Sequence, residues 1–152
     1  MEKKRELRAV IVDTYAILAM AYGELGKEAE EVLLGIRRGD VVGYLPITVV
    51  YELCIHILRG RIPVFESMEE LKTFITKYFK ITELRLEDYI EAARIKVEGD
   101  TMLKESIELR NRSLSFIDST IIWLAIKMKT PIITGDKDLA YVAKRKDVEV
   151  IW

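Results

Sequence analysis

Four acidic residues in this 152-residue chain stand where a carboxylate is either costly or well placed to do chemistry. Asp13 directly follows the apolar run Ala9 to Val12, and Asp136 follows Ile132-Ile133-Thr134-Gly135. Glu52 interrupts the run Ile47 to Ile55, and Asp118 interrupts Leu114 to Ile122. Singly, each aspartate also reads as a helix N-cap, a position that Asp favours, and Glu52 as the polar stripe of an amphipathic helix. Jointly they are harder to explain, because an ionised carboxylate among apolar neighbours must be paired, hydrogen-bonded or metal-bound. At ~5 Å and an effective dielectric of about 20, each ionised pair repels by about 3 kcal/mol. No arginine adjoins any of the four in sequence. A hard divalent cation relieves the repulsion, and an all-oxygen donor set suits Mg²⁺ or Mn²⁺ rather than zinc. Water on such an ion can attack a phosphodiester while the ion stabilises transition-state charge.

Competing chemistries fare worse. Cys54 and His56 are two residues apart, so on a helix they point in different directions and form no dyad. His56 is the only histidine, and no nucleophile elbow accompanies it. Neither a Walker A sequence nor a dinucleotide fingerprint is present. A phosphoaspartyl phosphatase of the haloacid dehalogenase class also begins with a strand ending in Asp, but it usually carries a second Asp two residues on, where this chain has Tyr15. Asp138 is an alternative to Asp136; Asp136 is preferred because it immediately follows the Thr134-Gly135 turn. Arg59, Arg61, Lys104, Arg110, Arg112 and Lys137 are basic candidates for a nucleic-acid path. Arg110 and Arg112 stand out because they immediately precede the Asp118 segment, whereas Lys144-Arg145-Lys146 reads as a solvated helix end.

The elements that must position these groups alternate. Ala9–Val12, 41–45, 79–84, 132–134 and 148–151 are short, apolar or β-branched runs that read as strands. Helices are predicted over 15–22, 27–38, 47–59, 67–78, 87–97, 101–109, 117–128 and 137–145, with Gly99 and Asp100 separating the fifth from the sixth. Ser67 stands three residues before Glu70, a capping-box spacing. Alternating strands and helices imply right-handed crossovers and a mostly parallel sheet covered on both faces. Such sheets bind ligands outside the carboxyl ends of their strands, where Asp13 and Asp136 fall.

With its motifs in this order, the chain resembles the PIN-domain ribonucleases, the group that contains the VapC-type toxins of toxin–antitoxin pairs. The resemblance rests on Asp13 in IVDTYAIL, Glu52 in ITVVYEL, Asp118 in LSFIDSTIIWLA and Asp136 in IITGDKDL, and it covers nearly the whole chain. It implies a three-layer α/β/α sandwich formed by residues 1–152 as one domain, and a metal-dependent endonuclease acting on single-stranded RNA. It further implies that Asp13, Glu52, Asp118 and Asp136 hold one or two Mg²⁺ or Mn²⁺ ions and that Thr134 lends a hydroxyl; of the basic candidates, Arg110, Arg112 and Lys137 are the ones expected from their positions to contact RNA. A small antitoxin and a homodimer or higher homo-oligomer are the implied partners; a catalytically inactive scaffold for RNA or protein is the alternative. Met20, Tyr22, Ile62 and Phe65 are apolar positions that could serve an oligomer. The chain departs from the family pattern at Gly135, at Leu139, and in the long stretch 61–80.

Composition agrees. With 24 Lys+Arg against 25 Asp+Glu, the net charge of −1 argues against nucleic-acid binding by bulk positive charge, though not against a local basic groove. If four acids form one site, the remaining 21 face 24 basic residues. One cysteine excludes an internal disulfide framework and suits a reducing cytoplasm. The absence of Gln and the single Asn111 follow a thermophilic bias. Met1 to Arg8 with the apolar run after it has the outline of a signal peptide, but Asp13 and Thr14 interrupt it, so the segment reads as strand and helix. No apolar stretch reaches the ~18 to 20 residues that span a bilayer, so no membrane partner is expected.

Overall fold

The computed structural model describes residues 6–152; residues 1–5, the basic start of the signal-like outline, lie outside it. The chain runs β1 (Ala9–Val12), α1 (Thr14–Tyr22), α2 (Lys27–Arg38), β2 (Val42–Pro46), α3 (Ile47–Leu58), α4 (Met68–Tyr78), β3 (Phe79–Thr82), α5 (Leu86–Lys104), α6 (Phe116–Met128), β4 (Ile132–Ile133), α7 (Lys137–Arg145) and β5 (Val150–Ile151). The strands form one sheet in the order β3-β2-β1-β4-β5, with every pairing parallel. A continuous apolar run with no polar alternation, such as Val10-Ile11-Val12, needs cover on both faces, and all three residues are fully buried. The helices provide that cover.

From β1 the chain steps outward through β2 to β3, then returns to lay β4 and β5 on the other side of β1. The switch in direction therefore lies between β1 and β4, where the crossovers diverge and leave a crevice at the strand ends. The register pairs Ile11 with Ile132 and Val12 with Ile133, so Asp13 and Thr134 are the next residues on neighbouring strands.

Gly99 and Asp100 do not break the chain into two helices; α5 runs through both. Gly99 is buried because a Cβ there would meet Leu114 Cδ2 at 2.8 Å and Val142 Cγ1 at 3.3 Å. Asp100 is held by Lys96 at 2.7 Å and accepts the Leu114 backbone N–H at 2.7 Å. A glycine that reads as punctuation is thus a point of close packing between α5 and its neighbours. Gly99→Ala gains about 1 kcal/mol in helix propensity against about 1–3 kcal/mol of overpacking. A net loss of about 1 kcal/mol is expected in urea unfolding; a net gain would show that this contact is loose.

Asp88 closes the same layer. Its carboxylate is almost fully buried and accepts from the Arg85 backbone N–H at 2.8 Å, Trp123 Nε1 at 2.9 Å and Lys127 Nζ at 2.9 Å, tying α5 to α6. Ile62 is a core residue at 1% exposure, and Met20 and Phe65 are half-buried, so of the four apolar positions suggested for an oligomer only Tyr22 is well exposed. Within 61–80, Ser67 Oγ accepts the Glu70 N–H as the capping spacing predicts, while the Glu70 carboxylate receives the Glu66 N–H rather than that of Ser67.

Candidate active site

Asp13 occupies the N-cap position of α1, yet its side chain makes no capping hydrogen bond. Instead its Oδ2 accepts the Thr134 hydroxyl at 2.7 Å, across the β1–β4 seam. Thr134 in turn accepts the Asp136 backbone N–H at 3.0 Å. One buried hydroxyl thus links the two strand ends and fixes the Asp13 carboxylate. Asp136 does cap: its Oδ1 accepts the N–H groups of Asp138 and Leu139 at 2.9 and 3.0 Å, which leaves Oδ2 outside the cap.

The other two acids arrive on helices. Ser115 is the N-cap of α6 and accepts the Asp118 N–H at 3.0 Å, so Asp118 sits in the first turn with its carboxylate outside the cap. Glu52 lies one turn after Thr48 on α3, and the hydroxyls of Thr48 and Thr120 are hydrogen-bonded at 2.8 Å inside the protein. This buried contact sets the approach of α3 to α6, and with it that of Glu52 to Asp118.

The charges of neighbouring acids reach Asp13 and Asp118. Burial is the largest influence on Asp13, pushing its carboxyl up to about 7; the Thr134 hydrogen bond opposes the shift, and the charges of Asp136 and Glu52 add to it. Burial also leads for Asp118, pushed up to about 8, with the charges of Asp13, Asp136 and Glu52 adding and the Ser115 hydrogen bond opposing. Near neutral pH the pair therefore retains a proton that two ordinary carboxyls would have lost. Among the described residues, no group of three or more His, Cys, Asp or Glu side chains is already arranged to hold a metal ion. The Thr14 hydroxyl, beside Asp13 in sequence, is buried without a hydrogen-bond partner.

Asp138, the alternative to Asp136, is instead engaged by Arg112 at 3.3 Å. That contact also gives Arg112 an acidic neighbour that sequence spacing did not reveal. Lys137 pairs with Glu108 at 2.6 Å, both side chains well exposed, and Arg110 is exposed. Gly135 has a steric reason: a Cβ there would lie 2.6 Å from ring atoms of both Trp152 and Tyr15. Neither aromatic was singled out from sequence as part of the site; Trp152 is 16 residues beyond Asp136, and only the β4–β5 pairing brings it back.

The PIN domain family model matches residues 10–145. The chain belongs to the PIN domain family. Among solved structures, the PIN domain here is similar to the crystal structure of VapBC2 from Rickettsia felis bound to a DNA fragment from their promoter, at 13% identity and TM-score 0.62, covering 93% of this chain and 96% of that one. It is also similar to PAE2754 from Pyrobaculum aerophilum, at 16% identity and TM-score 0.58, covering 99% and 87%. FitAcB from Neisseria gonorrhoeae matches at 16% identity and TM-score 0.56, covering 93% and 95%. No curated protein sequence matches the chain. These neighbours share the fold of this PIN domain: an all-parallel five-stranded sheet between helical layers. PIN domains are generally nucleases, a class of hydrolases. Among the described residues, no helix is long and apolar enough to cross a membrane.

Proposed function

We propose that this PIN domain is a metal-dependent endonuclease that hydrolyses phosphodiester bonds of single-stranded RNA in the cytoplasm, as the toxin of a VapBC-type pair or as an RNA-processing enzyme. The carrying observation is the juxtaposition of Asp13, Glu52, Asp118 and Asp136 at the β1–β4 switch, with two of their carboxyls shifted toward neutral pH by burial and mutual charge. The donor chemistry fits a hard divalent cation: all four are oxygen donors, and ionising the group without a counter-charge is unfavourable. The unpartnered Thr14 hydroxyl also fits a hydrated ligand nearby. Drawing three carboxylates onto one ion requires some of them to turn from their present rotamers, since no such group is preformed among the described residues.

Asp13 and Asp118 are the leading ligands, with Glu52 and Asp136 completing the set. A bound Mg²⁺ or Mn²⁺ would supply a water of lowered pKa and positive charge opposite the developing phosphorane. The chain's own part is positional. Thr134 holds the Asp13 carboxylate in one orientation, and the Asp136 cap fixes one of its oxygens while leaving the other available. Arg110, Arg112 and Lys137 are candidate phosphate contacts; Lys137 exchanges an exposed ion pair for the substrate at little cost, whereas Arg112 would have to leave the largely buried Asp138.

Binding can be tested apart from chemistry. Mg²⁺ or Mn²⁺ at about 100 times its dissociation constant should stabilise the protein by about 2.7 kcal/mol, read as a rise in melting temperature that disappears with EDTA. No shift would sink the metal-site reading, and a shift without RNA cleavage would favour the scaffold alternative.

Partners follow from the same resemblance. A small antitoxin is proposed to cover the acidic crevice with a basic side chain directed into it, where charge complementarity is greatest. Self-association is proposed to use exposed apolar side chains rather than the positions first suggested: Tyr51 and Leu58 on α3, and Leu86, Ile90 and Val97 on α5 are all exposed.

A further inference from the structure

Beside Asp136 the structure opens a cleft of about 340 Å³, within the roughly 300–1,000 Å³ range of small-molecule sites. Lys137, Ala140 and Lys144 line it from α7, at the i, i+3, i+7 spacing that places them on one helix face. The small Ala140 leaves room between the two lysines. Trp152, just after β5, and Glu28 on α2 also line it, along with the turn Thr134-Gly135-Asp136.

The tryptophan is built into place. Its ring meets the edge of Tyr15 at 5.4 Å between centroids and 75° between planes, and it packs over Gly135, where a Cβ would come within 2.6 Å. Gly26 lets the chain approach equally closely, since a Cβ there would lie 2.5 Å from the Trp152 carbonyl carbon. Trp152 remains half-buried and lines the cleft.

We propose that this cleft seats one nucleotide of a single-stranded nucleic acid, next to the phosphodiester held at the acidic site, with its base on Trp152 and its flanking phosphates on Lys137 and Lys144. The proposal rests on the nuclease reading for the identity of the neighbouring phosphodiester. Seven residues of helix separate the lysines by about 10 Å, a spacing suited to successive phosphates rather than to one. Lys137, next to Asp136, takes the phosphate nearer the acids. Its contact with Glu108 joins two exposed groups and exchanges readily for a phosphate. Among the described residues Lys144 makes no ion pair. Indole stacking tolerates any base, because every base has a π-face. Glu28 is an acceptor suited to a base amino group or a ribose hydroxyl. Lys144, which reads from sequence as part of a solvated helix end, thereby becomes part of the substrate path.

The test is a fluorescence titration of the whole protein in EDTA with a ten-nucleotide oligouridylate, over a series of salt concentrations. Wild type should show tryptophan quenching that Trp152→Phe removes, since Trp123 is bound to Asp88 away from the cleft. Lys144→Ala, a change at an exposed position, should weaken binding about fivefold and flatten the log–log salt dependence by about 0.7, the loss of one phosphate contact on a single strand. Trp152→Ala should weaken it about tenfold, as expected for one stacked base. Absence of quenching in wild type, or Lys144→Ala binding with unchanged affinity and salt slope, overturns the cleft. Quenching and Lys144 dependence with no cleavage on adding Mg²⁺ or Mn²⁺ leaves the cleft standing and sinks the nuclease reading. Cleavage by wild type with a KM unmoved by Lys144→Ala sinks the cleft alone.

Discussion

Asp13→Asn is expected to reduce metal-dependent RNA cleavage at least a thousandfold while making the metal-free protein more stable than wild type above neutral pH. The first effect follows from losing a charged oxygen in the proposed metal site: metal-assisted charge stabilisation is worth several kcal/mol, and ~4 kcal/mol is about three orders of magnitude in rate. The second follows from burial. The Asp13 carboxyl, ordinarily 3.8, is raised to about 7 in the folded protein, and Asp118 to about 8, so between those limits the folded state binds more protons than the unfolded chain. A raised folded pKa contributes stability that is fully present below about pH 4 and is lost as pH rises through 7 to 8. Asparagine keeps the shape and an oxygen to accept the Thr134 hydroxyl, and has no proton to lose. The stability advantage of the variant should therefore be small near pH 4 and grow to a few kcal/mol by about pH 8.5. Cleavage of labelled single-stranded RNA, with paired melting curves at the two pH values in EDTA, checks both halves. Equal cleavage by variant and wild type would remove Asp13 from the mechanism. A pH-independent stability difference would show that its carboxyl is not under the electrostatic load described.

Asp88→Ala should destabilise the fold by about 3 kcal/mol without touching the site. Breaking a buried, hydrogen-bonded ion pair by removing one partner costs roughly 3–5 kcal/mol. The lower end applies because the Lys127 side chain is 50% exposed and can rehydrate, whereas the Trp123 N–H and the Arg85 N–H lose an acceptor in a mostly dry setting. Urea midpoints measure the loss, and Lys127→Ala should cost much less for the same reason. Asp88 has the opposite pH signature to Asp13. Burial raises its pKa, but hydrogen bonds from Arg85, Trp123 and Lys127 and the charge of Lys127 outweigh it and hold the carboxyl down at about 2. Its contribution is present above about pH 4 and is lost as pH falls toward 2, amounting to about 2 kcal/mol. An acid limb of unfolding unchanged by Asp88→Ala would contradict this.

Much of the fold was legible because period and punctuation agreed. Apolar runs of four or five residues cannot be amphipathic helices, and each predicted strand core lies in the sheet. The clearest local difference is at Gly99-Asp100, where a glycine that reads as a helix stop is instead required by the close approach of Leu114 and Val142. Spacing along one chain carries no information about what packs across it. Asp88 is illegible for the same reason: in sequence it is one more acid in a helix's first turn, and only α6 shows why it must be there.

The candidate site divides in the same way. From sequence alone come the identities of Asp13, Glu52, Asp118 and Asp136, their places at strand ends and on helices, and the oxygen-only donor chemistry they share, because these depend on residue type and local pattern. Whether each aspartate caps a helix or faces the crevice was decided by tertiary structure, since both roles suit the same residue at the same position. The Asp13 side chain went to Thr134, Asp136 divided its two oxygens, and Asp138 went to Arg112. The Trp152 cleft belongs wholly to the three-dimensional fold: its lining comes from α2, α7 and β5 and from the turn after β4, and it exists only because the parallel pairing of β4 with β5 returns residue 152 to Gly135.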